Sequence, residues 1–251
     1  MLVRMSWWVA GAVVLTAGLG GTGCKRETET GTVTTRTEGG ATAAPSVSRA
    51  ERSDRALVRV VNAIPGPRAL DIYAGDSSAF SKVPYRKVTP FQPLASEAAS
   101  FQIKSGPEAK PVAENREPLV AGAHYTVIAM PDEGGASRRN LRVLHDDFAP
   151  VPGDKARLRL VNAIPGEDDL TLKLRGFDDE LFSDVAFKRE AGWKDVDPFV
   201  GTLVLLNGKE RTIATLPEMK VMGGKSYTLV ATGRRTKAEV ITVEDDVKPA
   251  E

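Results

Sequence analysis

ALVRVVNAIPG at Ala56–Gly66 returns as ARLRLVNAIPG at Ala156–Gly166, one hundred residues later, with eight of eleven positions identical. A catalytic motif seldom needs two copies, whereas a duplicated structural unit leaves this kind of mark. Other blocks recur in the same order. FSKVPYRKV (Phe80–Val88) matches FSDVAFKRE (Phe182–Glu190), and GAHYTVIAM (Gly122–Met130) matches GKSYTLVAT (Gly224–Thr232). Each copy closes on paired acids, Asp146–Asp147 and Asp245–Asp246. The chain reads as one unit made twice, over residues 54–150 and 151–248.

Each unit reads as β. Arg157 and Arg159 alternate with Leu158 and Leu160, the period of a strand with one buried face. The matching register in the first copy turns Val58 and Val60 inward. If Tyr125, Val127, Tyr227 and Leu229 also point in, Thr126 and Thr228 point out. Asn207–Gly208, between the apolar run Thr202–Leu206 and Arg211–Leu216, predicts a two-residue hairpin. Beyond the N-terminal segment no window shows a helical stripe. Short strands with regularly spaced Gly and Pro turns predict an all-β chain of two tandem antiparallel β-sandwich units of the Ig-like kind. The repeated hexapeptide then has a structural reading: Pro65 presets φ, Gly66 accepts positive φ, and Pro165–Gly166 do the same, as in a type II turn. Asn62 and Asn162 sit where a side chain can bond the turn backbone. Tyr125 and Tyr227, each three residues after a Gly, fit the tyrosine corner of such sandwiches, whose hydroxyl bonds upstream backbone.

The order R-V-V-x-A-x-P, then F-x-x-V-x-Y/F, then G-x-x-Y-T-V and a late D-D resembles the DUF4397 family over Ala56–Asp246, both copies. The resemblance implies bacterial exported proteins, often lipoproteins, with tandem β-sandwich units and no established activity. That family usually has His where Asn62 and Asn162 stand, and Ser and Asp where Ile64 and Gly66 stand. A role for that His is therefore absent from this chain.

Residues 1–23 read as an export signal, with Arg4 ahead of the uncharged apolar stretch Trp7–Gly20. GTGC at Gly21–Cys24 resembles a bacterial lipobox, with Gly21 where Leu is usual and Leu19 two residues further back. Cys24 is the only cysteine, so it can form no disulfide within the chain, and lipid attachment uses its position. Residues 24–53, poor in large apolar side chains, predict a disordered tether with a reach of about 30 Å. The expected address is the bacterial cell envelope, anchored through lipid, at the outer membrane.

A net charge of +1 gives no basic footprint for nucleic acid. No nucleophile elbow, H-E-x-x-H or P-loop is present, and His124 and His145 have the non-equivalent counterparts Ser226 and Glu244. No cofactor is expected, and the chain reads as a non-enzyme serving a binding or structural role. A carbohydrate- or peptidoglycan-binding module is the alternative, resting on Trp193, Tyr85 and Phe91 near loops, and a hydrolase with dispersed carboxylates ranks third. The acids Asp146, Asp147 and Asp154 are weak calcium candidates, although recurrence of the acidic pair at Asp245–Asp246 suggests a role internal to each unit. Arg138–Arg139 and Arg234–Arg235 lie in loops joining equivalent strands, and Arg suits planar anions. These four are the candidate anion-binding residues, with an anionic envelope polymer or another surface protein as partner.

Overall fold

The computed structural model describes residues 54–97, 100–133, 138–151 and 154–246. The expected signal, the Cys24 lipidation site and the tether lie outside the described residues. Strands alone carry the fold, and no helix occurs among the described residues. The first repeat contains β1 (Arg55–Asn62), β2 (Leu70–Ala74), β3 (Ser77–Val83) and β4 (Gln92–Ala95). It continues with β5 (Ser100–Lys104), β6 (Ala113–Arg116), β7 (His124–Pro131) and β8 (Arg139–Asp146). The second contains β9 (Ala156–Asn162), β10 (Leu170–Leu174), β11 (Glu180–Val185) and β12 (Glu190–Val196). It ends with β13 (Phe199–Leu206), β14 (Thr212–Val221), β15 (Lys225–Arg234) and β16 (Lys237–Asp246).

Four four-stranded sheets result, each drawn from one repeat: β4-β1-β7-β8 with β3-β2-β5-β6, and β12-β9-β15-β16 with β11-β10-β13-β14. Within each repeat the two sheets close on an apolar core. Val58, Val60, Ile72, Phe101, Tyr125 and Val127 fill the first. Leu158, Leu160, Leu172, Leu203, Tyr227 and Leu229 fill the second. The inward positions expected from the alternation are therefore the observed ones. One departure from wholly antiparallel sheets occurs in each repeat: β1 runs parallel to β7 and β9 parallel to β15. The duplication extends to irregularities. Lys82 and Asp184 hold matching positive φ angles of 52° and 54°, and Arg86 and Lys188 hold 67° and 62°.

The two copies of VNAIPG differ in conformation. At the second, Glu167 N–H donates to the Ile164 carbonyl (3.3 Å) and Gly166 sits at φ 74°, closing a turn. At the first the residue after Gly66 is Pro67, which has no N–H to give. Gly66 accordingly opens to φ 153° and the segment is a bend. The expected type II turn holds for the second copy and fails for the first. What both copies keep is the Asn. Asn62 Oδ1 accepts from Ile64 N–H at 2.9 Å while its Nδ2 donates to the Val83 carbonyl. Asn162 does the same with Ile164 and Val185 and adds the Glu167 carbonyl at 2.6 Å. Tyr125 and Tyr227 accept at their hydroxyls from the upstream N–H groups of Val120 (2.9 Å) and Met222 (3.1 Å).

The Asn207–Gly208 hairpin is longer than two residues. β13 ends at Leu206 opposite Thr212, and Asn207 Oδ1 accepts from Lys209 and Arg211 N–H. Glu210, at φ 57°, takes the left-handed position that an Asn-Gly turn would give its central pair. Gly208 serves close approach instead: a Cβ there would lie 2.8 Å from Asp169 Oδ2.

Candidate functional site

The outward faces of β1 and β9 do not meet solvent. Residues of all sixteen strands belong to one compact unit, in which sheet β4-β1-β7-β8 packs back to back on sheet β12-β9-β15-β16. Val61, Ala63, Ile128, Met130 and Leu144 from the first meet Val161, Ala163, Val230, Ile241 and Val243 from the second. Burying a large aliphatic side chain contributes about 1.5–3 kcal/mol. This layer therefore supplies most of the cohesion between the repeats, and its polar members decide register.

Those polar members are reciprocal. Arg59, 4% exposed, donates Nε to Thr126 Oγ1 at 2.8 Å and forks both terminal nitrogens onto the Asp245 carboxylate of the other repeat at 2.6 and 2.7 Å. Arg159, 2% exposed, donates Nε to Thr228 Oγ1 at 2.8 Å and pairs with Asp146 of the first repeat. Phe91 lies under the Arg59 guanidinium at 4.5 Å and Trp193 under that of Arg159 at 4.2 Å. The strand registers make Arg59 and Arg159, Thr126 and Thr228, and Phe91 and Trp193 equivalent pairs. Asp146 and Asp245 are equivalent too, since each stands opposite the residue before the core Tyr. Burial lowers the Arg159 pKa below the ordinary guanidinium range, and the Asp146 carboxylate opposes that shift.

This network changes two sequence expectations. Arg159, Thr126 and Thr228 face out of their sandwich but into the partner sheet. Asp245, expected to act within its own unit, bridges the two. Of the three calcium candidates, Asp146 is held by Arg159, Thr126 and Arg59, and Asp147 pairs with Arg157 at 3.6 Å and accepts from Ala149 N–H. Asp154 is exposed, and no group of three potential metal ligands exists among the described residues. The three aromatics are likewise drawn into the interface. Phe91 and Trp193 stack on the guanidinium groups. Tyr85 donates to Glu239 of the second repeat at 2.8 Å, and burial followed by that carboxylate pushes its pKa up to about 12. His124 stacks edgewise on Phe91 and Phe148 at 5.2 and 4.9 Å, and burial holds it below its usual 6.5.

Both repeats point the same way. β1 and β9 end beside one another, with Thr232 Oγ1 donating to the Ala63 carbonyl at 2.6 Å, Arg86 near Glu239, and Lys188 paired with Asp132. The loops holding Arg138–Arg139 and Arg234–Arg235 therefore share one end of the body, opposite to where β1 begins. Arg138, Arg234 and Arg235 are exposed and Arg139 half-exposed. Arg235 lies across Gly166 and donates to the buried Glu167 at 2.6 Å, so of the four it is held in place. Beside it a polar groove of about 380 Å³ runs between the second VNAIPG turn and the 207–211 turn. A smaller one of about 240 Å³ continues onto the outer sheet past Asp169 and Thr171.

Residues 56–173 match the family described as Domain of unknown function (DUF4397). The match takes in every strand of the first repeat and stops within β10 of the second. No curated protein matches the chain. Among solved structures, the C-terminal domain of AlgF from P. aeruginosa is 24% identical, covering 37% of this chain and 100% of that one with a TM-score of 0.32. A protein from Bacteroides uniformis, provisionally described as a cell adhesion protein, is 10% identical over 78% of this chain and 100% of its own, at 0.26. A streptococcal virulence factor that binds alpha-glucan is 9% identical over 73% and 95%, at 0.23. All three scores are low, and none bears on what this chain binds.

Sequence reasoning missed the Arg–Thr–Asp network, yet a signal was there. Arg, Thr and Asp recur at outward positions on three different strands of both copies, where a solvated face has no reason to repeat its residue types.

Proposed function

We propose that the chain is a cell-envelope lipoprotein, lipidated on Cys24, whose two sandwiches form one rigid module with a non-catalytic binding role. The observation that supports this reading is the polarity of the body. β1 starts at one end, and both Arg loops, both VNAIPG segments and the polar groove lie at the other. A chain tethered through residues 24–53 would hold the first end toward the membrane and offer the second to its surroundings. The reciprocal ion pairs fix the two loop sets relative to one another, as a preorganised surface requires.

The test is fractionation of the full-length chain in a bacterial host. Parent protein should sediment with membranes and resist salt extraction, and the Cys24→Ser variant should leave the membrane fraction or accumulate as an uncleaved precursor. A Ser variant that fractionates and migrates like the parent would sink the anchoring. Absence of saturable binding between the soluble variant and isolated envelope material would sink the binding role.

A further inference from the structure

Near-neutrality of the whole chain conceals a separation of charge. Loops at the end where β1 begins carry Asp76, Glu97, Glu117, Asp178, Asp179 and Asp197 against Lys155 and Arg175. The opposite end collects cations from both repeats: Arg86 and Arg138–Arg139 from the first, Arg189, Arg211 and Arg234 from the second. Arg139, Arg211 and Arg234 make no side-chain ion pair among the described residues, so their guanidinium groups have charge to offer. Opposed ends of unlike charge, on a body already oriented by its chain entry, orient an approaching polyanion.

We infer that this distal end binds an acidic polysaccharide strand, its charge carried by carboxylate or phosphate groups, laid across the Arg loops of both repeats with one sugar unit in the groove of the second. This deepens the proposed binding role and rests on it. The groove selects a sugar over other polyanions. It is lined by Glu167, Asp168, Asp169, Asn207, Lys209 and Arg211, with Arg235 closing one side. Alternating carboxylates, an amide and cations suit a ring of hydroxyls that both give and accept hydrogen bonds, and the volume lies within the range of small-ligand sites. Those carboxylates also interrupt the positive field. A nucleic acid, with a phosphate at every nucleotide, needs a continuous basic track and aromatic platforms for its bases. At this end the acids break the track, Tyr85 is occupied with Glu239, and its counterpart Phe187 is buried. A polysaccharide with spaced charges tolerates both features.

The experiment measures binding of the soluble Cys24→Ser chain, without detergent, to polygalacturonate, a phosphomannan, dextran of equal length, a single-stranded oligonucleotide and phosphatidylglycerol vesicles. One or both acidic polymers should bind, and which one does names the anionic group. About four released counterions make that affinity fall roughly 50-fold between 50 and 200 mM salt. The triple variant Arg138→Ala, Arg139→Ala, Arg234→Ala should weaken it at least about tenfold, the loss of about 1.4 kcal/mol, with an unchanged melting temperature. Lys155→Ala with Arg175→Ala, at the other end, should leave it within about twofold. Dextran binding as tightly, the oligonucleotide or vesicles binding more tightly, a flat salt response, or an indifferent triple variant would each overturn the inference. Loss of polymer binding while envelope material is still captured refutes this ligand and spares the binding role.

Discussion

Cutting the Arg59–Asp245 pair gives the sharpest test of how the repeats are joined. Replacing Asp245 with Leu leaves the Arg59 guanidinium buried, with Thr126 at 2.8 Å and Asp146 at 3.5 Å as its remaining partners. Removing one partner of a buried pair costs about 3–5 kcal/mol. Asp245 retains 14% side-chain exposure against 5% for Arg59, so about 3 kcal/mol is expected for Asp245→Leu and slightly more for Arg59→Leu. If the two acted independently, the double variant would lose about 6 kcal/mol. It should lose about 3 or less, because a buried pair replaced by apolar groups is often near neutral, while the Thr126 bond and the Phe91 contact go in either case. The coupling is then about 3 kcal/mol, at the top of the usual range for contacting residues. At about 2–4 °C per kcal/mol for a body of this size, each single variant melts roughly 6–12 °C lower. Equilibrium urea unfolding, followed by far-ultraviolet circular dichroism and Trp193 fluorescence, reads the cycle. Additivity within about 0.5 kcal/mol, or single losses below about 1 kcal/mol as in exposed pairs, would refute a buried bridge across the repeats.

Three further outcomes follow from the geometry. Asn162→Ala should cost more than Asn62→Ala, because Asn162 serves three backbone groups and Asn62 two. At about 1–3 kcal/mol for each buried group left unpaired, chemical denaturation should separate them, and an equal loss would refute the account. The raised pKa of Tyr85 means the folded state holds its phenol proton longer than the unfolded chain. Stability from this group is complete below about pH 10 and fades as pH rises toward about 12; Tyr85→Phe should flatten that alkaline decline and remove a late-titrating phenol from the ultraviolet titration. Finally, Gly233→Ala should destabilise by about 1–3 kcal/mol, since φ is +101° and the new Cβ would lie 2.4 Å from the Lys237 carbonyl. Gly192→Ala, with open space around it, should stabilise by about 0.4–1 kcal/mol, and calorimetry of the two should give opposite signs.

The strands and their inward faces were legible because alternation of Leu158 and Leu160 with Arg157 and Arg159 reports one buried face directly. It says nothing about the other face. A charged side chain on a half-buried strand looks alike whether water or a second sheet covers it, so the burial of Arg159 had no local signature. The turns failed for a similar reason. Identical hexapeptides at Val61–Gly66 and Val161–Gly166 diverge because the seventh residue, Pro67 or Glu167, decides whether an N–H exists to close the loop. Asn207–Gly208 has hairpin chemistry, but packing of Asp169 against Gly208 comes from residues distant in sequence. The Arg loops were found as residues and not as a surface, since their common end depends on how two sheets stack.

A face carrying Arg, Thr, Asp and an aromatic in this arrangement is its own complement, so a single unit bearing it already describes half of a twofold dimer. Joining two such units in one chain turns an encounter that depends on concentration into one governed by a short connection, with effective concentrations in the millimolar range for short flexible linkers. It also frees the halves from being identical. Arg142 and Glu190 face each other at 3.4 Å, whereas their register equivalents are Ile241 and Val88, which both pack in the apolar layer. A homodimer would have to repeat the same choice on both sides of its axis. Gene fusion lets a charged contact evolve on one side and an aliphatic one on the other, and so permits an asymmetric rim on a nearly symmetric base.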